Sequence, residues 1–167
     1  MSHSVTITRT TTTTSGTALF VNSGYLKTLP GLLKVAELIL GAVAVGIIGY
    51  YWSHYNYRYT YNSKPELFFF LISVAFLIGT FCLLTACLLS LSSASIISKT
   101  LYEVIFHGLA FILYFAAALT LIIEVNHYKN SYGNNYEPFL AASIIGLVLA
   151  GLYLISTFLA NRAYRGI

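Results

Sequence analysis

Aspartate is absent from this 167-residue chain, and charged residues make up only 8% of it. Soluble domains carry roughly 25% charge, so a water-soluble fold could not cover its surface with this supply. The lipid bilayer is the expected solvent. All five acids are glutamates, at Glu37, Glu66, Glu103, Glu124 and Glu137. The net charge of +4 is too small and too scattered for a nucleic-acid surface. Cysteine is scarce as well: Cys82 and Cys87 both lie in one apolar run. Five residues apart on a helix they point about 140° away from each other, which disfavours a bridge. No cysteine lies in a polar segment, which excludes a disulfide framework for the loops. No Asn-x-Ser/Thr acceptor for glycosylation occurs. The four histidines, His3, His54, His107 and His127, are too scattered to predict a metal site. There is no glycine-rich phosphate loop and no Ser-His-acid spacing, so the reading is non-enzymatic, with no cofactor.

What the chain has in quantity is apolar residues, 57% of the total, gathered into four runs at about 32–51, 67–91, 101–125 and 139–159. Each is long enough to cross a hydrocarbon core of ~30 Å as a helix, and a helix satisfies its own backbone polar groups in lipid. The expected fold is an all-α membrane protein, an antiparallel four-helix transmembrane bundle over residues 25–162. Residues 1–24, with the run TITRTTTTTSGT, read as a disordered Thr-rich tail that lacks the apolar core of a signal peptide. Residues 163–167 form a short second tail. Four spans put both ends on one side. That side has Arg9, Lys27, Lys34, Lys99, Arg162 and Arg165, against Arg58, Lys64 and Lys129 on the other. The excess favours cytosolic termini.

Ionisable groups inside a span are costly and point to function or to specific packing. In span three, positions 103, 107, 110, 114, 117, 121 and 124 read Glu, His, Ala, Tyr, Ala, Leu, Glu. This four-three spacing puts every strongly polar residue of the span on one stripe, which should face the bundle interior. Span one carries Lys34 and Glu37 at the same depth as Glu103 and His107. These four form a candidate intramembrane polar cluster. One reading is hydrogen-bonded glue between helices; the other is a proton or ion path through Glu103, His107, Tyr114 and Glu124. Small residues four apart, at Ala142–Gly146–Ala150, Ala42–Gly46 and Ala75–Gly79, allow close helix approach. Internal packing is the simple use of them, and self-association through span four into a homo-oligomer is the alternative. Cys87, about one turn from the terminal face, is a candidate for palmitoylation, with plain packing the alternative.

The stretch YYWSHYNYRYTY, from Tyr50 to Tyr61, holds six tyrosines in twelve residues. Rings of this kind are enriched where a span leaves the bilayer. The alternating Tyr55, Tyr57, Tyr59 and Tyr61 also suit a partner-binding surface on an outer loop, since tyrosine is a common interface anchor. That leaves adhesion to a facing membrane as one functional reading.

GYLKTLPGLLKVAELILGAVAVGIIGY, residues 24–50, resembles the first span of the MARVEL-domain family, with Tyr25-Leu26-Lys27 leading into Lys34 and Glu37. It is most similar to the chemokine-like-factor-like, MAL-related branch. EVIFHGLAFILYFAAALTLIIEV, residues 103–125, resembles that family's third span. The segment LSSASIISKTLYE lacks the basic, Trp-rich stretch that many members carry between spans two and three. The resemblance implies a protein of membrane patches, vesicle traffic or junctions that contacts other membrane proteins side-on. The expected partners are therefore the bilayer and client membrane proteins, at the plasma membrane or on endomembrane vesicles. A channel or transport subunit is the competing class.

Overall fold

The computed structural model describes residues 23–54, 64–127, 129–132 and 136–166. A 3-10 turn at Tyr25–Lys27 leads into α1 (Leu29–His54). Then come α2 (Lys64–Leu89), the short α3 (Leu91–Ile97), α4 (Leu101–His127), the single-turn α5 (Lys129–Tyr132) and α6 (Tyr136–Arg165). The four long helices are all long and apolar enough to cross a membrane. They extend past the expected apolar runs at most ends, and at the starts of α1, α2 and α6 this is possible because proline is tolerated in a first turn: Pro30, Pro65 and Pro138 all sit there. Span two instead stops earlier, at Leu89 rather than Leu91. Ser90 is extended (φ −146°, ψ 120°), and its side chain accepts a hydrogen bond from the Ser93 amide, starting α3 afresh.

Each long helix packs on two neighbours, in the ring order α1, α2, α4, α6, with α4 on α6 the most extensive contact. Small side chains explain that contact. Ala117, Ala118, Ala142 and Ala150 are all buried between the helices. A Cβ on Gly146 of α6 would lie 2.4 Å from Phe69 Cε2 of α2 and 3.1 Å from Ala118 Cβ of α4, so glycine lets both of these side chains pack directly on the α6 backbone. The span-four stripe Ala142–Gly146–Ala150 is thus occupied within the bundle, which leaves none of it for a second copy. The outward faces carry Ile39, Leu71, Ile78, Ile112, Ile123 and Phe158, each more than half exposed. Such continuous apolar surface suits lipid and not water.

The buried stripe of α4 runs Glu103, His107, Ala110, Tyr114, Ala117, Ala118, Leu121, Val125. It follows the expected register as far as Leu121 and then leaves it. Val125 is fully buried, whereas Glu124 is half-buried. A straight helix drifts about 20° per heptad against a strict seven-residue repeat, so the last position of the stripe swings roughly 60° off the seam.

Candidate functional site

The site lies in the half of the bundle where α1 and α4 begin and α2 and α6 end. The 3-10 turn covers it. Thr28 Oγ1 donates to the Tyr25 carbonyl at 2.6 Å and accepts from the Gly31 amide at 3.3 Å, folding the turn back on α1. A Cβ at Gly31 would come within 2.1 Å of the Tyr25 carbonyl oxygen, so this fold-back demands glycine. Tyr25 then lies against Lys34, whose Nζ is 6.0 Å from the ring centroid, and beside the Cys87 thiol. Burial pushes the Tyr25 phenol up to about 12, with Lys34 pulling the other way.

Beneath the turn, Lys34, Glu37, Glu103 and His107 come together, each at most 5% exposed. Lys34 Nζ pairs with Glu103 Oε1 across the diagonal of the bundle. Glu37 Oε1 accepts from Ser156 Oγ of α6 at 2.5 Å. Glu37 Oε2 lies 3.9 Å from His107 Nε2, and neither atom has another partner. His107 Nδ1 is 2.7 Å from the Glu103 carbonyl oxygen. A carbonyl only accepts, so Nδ1 carries a proton and Nε2 faces Glu37. Neutrality of the buried set then requires one further proton, held by either Glu37 or His107, since Lys34 and Glu103 already cancel. The cluster is therefore closed on itself, linking α1, α4 and α6.

Toward the middle of the bilayer the polar layer gives way to rings. Tyr114 stacks on Tyr153 at 5.5 Å between centroids, Phe76 sits 5.9 Å from Tyr114, and the Tyr153 and Thr80 hydroxyls are 2.8 Å apart. Beyond Tyr114 the interior is filled by Phe69, Ala117, Ala118, Leu121 and Leu149, all fully buried. Glu124 does not join the other members of the expected path. It is half-buried at the far end, off the seam. Cys87 is 2% exposed beside Tyr25, so acylation would require that turn to move away, while Cys82 is exposed on the flank. Tyr55, Tyr57, Tyr59 and Tyr61 lie outside the described residues.

Sequence reasoning did not single out Ser156, Thr80 or Tyr153, and it noted Tyr25 only through the family resemblance, not as a cover for the cluster. It also did not pair Glu66 with Tyr132, whose hydroxyl donates to Glu66 Oε1 at the opposite end. Burial and this carboxylate raise the Tyr132 phenol.

The MARVEL family pattern, described as a membrane-associating domain, matches residues 25–159. The chain belongs to the MARVEL family. The matched region opens at Tyr25 and so takes in the covering turn, the polar cluster and the aromatic layer of this MARVEL protein. Over an alignment of 168 residues it is 26% identical to the mouse (Mus musculus) protein CKLF-like MARVEL transmembrane domain-containing protein 8. That alignment covers 98% of this chain and 92% of the relative. No solved structure matches the chain. Among the described residues of this MARVEL protein, no group of three or more His, Cys, Asp or Glu side chains could hold a metal ion.

Proposed function

We propose that this MARVEL protein is a non-enzymatic organiser of membrane patches, acting in vesicle traffic or in the surface residence of client membrane proteins. It does so by lateral helix contact, with both termini in the cytosol. The observation that carries this reading is the division of its surface. The charged cluster is turned inward, with Lys34 paired to Glu103, whereas the long flanks are apolar. Ala42 and Gly46 also face outward on α1, with open space where a Gly46 Cβ would project. A partner helix can approach such a face closely. The competing channel reading is disfavoured by the filled interior beyond Tyr114, since conduction needs a polar or hydrated route.

Proximity labelling from a tag at the end of α6, read by mass spectrometry, tests the proposal. Integral membrane proteins should dominate the labelled set, and Gly46→Leu should thin it without lowering thermal stability. Ion or proton flux in reconstituted liposomes that Glu103→Gln abolishes would overturn it.

A further inference from the structure

The five acids of the chain are all accounted for. Glu37 and Glu103 are buried in the cluster, and Glu66, Glu124 and Glu137 stand at the opposite end of the bundle. No acidic side chain in the 167 residues is therefore free to meet a cation at the end where α1 begins and α6 finishes. Among the described residues, four cations are exposed there: Lys27 at the end of the 3-10 turn, Lys99 before α4, and Arg162 and Arg165 in the last turn of α6. Because α6 lies between α1 and α4 in the ring, Lys27 and Lys99 flank its end, and the four form one basic rim. The exposed rings of Tyr102 and Tyr164 share this level.

The α6 dipole accounts for Arg162 and Arg165. Lys27 and Lys99 stand outside it, in the last turn of the 3-10 helix and just past the end of α3, each two residues before the next long helix begins. We infer that this rim is a binding surface for the headgroups of anionic phospholipids in the adjoining leaflet. None of the five glutamates is placed to meet these cations. At the depth of a helix end the abundant anion is a lipid phosphate or carboxylate, and basic side chains next to a span gain from it. This surface rests on the membrane-spanning fold and not on which way the bundle faces, so a symmetric vesicle tests it separately from the cytosolic placement of the termini.

The experiment compares spin-labelled phosphatidylserine with spin-labelled phosphatidylcholine around the full chain reconstituted in phosphatidylcholine vesicles. The serine headgroup should be preferred by about fivefold, the factor one surface cation supplies, and the preference should fall as salt rises. Replacing Lys27, Lys99, Arg162 and Arg165 together with Gln should bring it to parity. Lys64→Gln with Lys129→Gln, at the other end, should leave it intact. Exchanging Lys27 and Lys99 for Arg should also keep it, and this variant together with the salt titration of the unaltered chain decides the matter if the fourfold variant does not fold. Parity in the unaltered chain overturns the inference, as does a preference that ignores salt or survives the fourfold replacement. Parity combined with tight binding of a polyglutamate peptide would assign the rim to an acidic protein segment instead, and would equally overturn it.

Discussion

The two halves of the bundle are held together by different physics. In the terminal half, α1, α4 and α6 meet through Lys34–Glu103 and Glu37–Ser156, contacts between specific atoms. In the loop half, α2, α4 and α6 meet through shape: the Phe69 ring and the Ala118 methyl both sit against Gly146, and Tyr132 and Tyr51 both lie against Phe139. Lipid supplies no hydrophobic force between helices, so a span must be joined either by polar groups or by close contact of small residues. This chain leans on the first device in the terminal half and on the second in the loop half, although Tyr132 also donates to Glu66 in the loop half and the Phe106 ring lies against Gly79 in the terminal half. The polar half fixes which helices pair, because a charged group without its partner in lipid is expensive. The small-residue half fixes how closely they approach.

The strongest way to break this division is Lys34→Met. It strands the buried Glu103 carboxylate, and removing one member of a buried ion pair costs about 3–5 kcal/mol. Thermal unfolding in detergent should show a large fall, and Lys34→Met combined with Glu103→Leu should recover most of it, because an apolar pair carries no desolvation penalty. In the loop half, Gly146→Ala places a methyl where Phe69 now lies. Overpacking of this kind costs about 1–3 kcal/mol. Here recovery should come from Phe69→Leu and not from any change of charge, a contrast that double-mutant cycles measure directly.

The two halves were also unequally legible in the sequence. A charge in an apolar run stands out, and shared depth follows from counting turns from the same membrane face. Lys34, Glu37, Glu103 and His107 could therefore be grouped without coordinates. Their partners could not. Ser156, Thr80 and Tyr153 are tolerated anywhere in a span, since a lone hydroxyl can bond its own helix backbone, as Thr157 does to the Tyr153 carbonyl at 2.7 Å. The small residues were legible as a pattern but not in their use. Ala142–Gly146–Ala150 and Ala42–Gly46 share one spacing, yet the first faces α4 and the second faces outward. Spacing gives the face a residue shares, and only the rotation of the whole helix decides what that face meets. Glu124 shows the same limit: the seven-residue stripe was right at Glu103 and had drifted off the seam by the end of the helix.

Ser156→Ala is a smaller perturbation of the polar half. It removes the donor to Glu37 Oε1 but leaves the Lys34–Glu103 pair in place. Interhelical hydrogen bonds in membranes average about 0.6 kcal/mol and reach about 1.7 kcal/mol. The loss should fall toward the upper end, because the acceptor is a buried carboxylate already short of one partner at Oε2. A change below measurement would mean that Glu37 holds its proton and needs no donor. In that case Glu37→Gln should be equally silent.

The smallest effect should come from Gly46→Leu. A Cβ there meets nothing within 4 Å, so the side chain projects into lipid. Replacing glycine inside a helix gains up to about 1 kcal/mol of propensity, and no contact is lost to offset it. Stability should hold or rise slightly, while Ala142→Leu, at the same spacing but buried against α4, should lower it sharply. If Gly46→Leu destabilises the isolated chain as much as Ala142→Leu does, then α1 is covered by another helix in the purified state. The outward face would then be an interface between copies and not an open one.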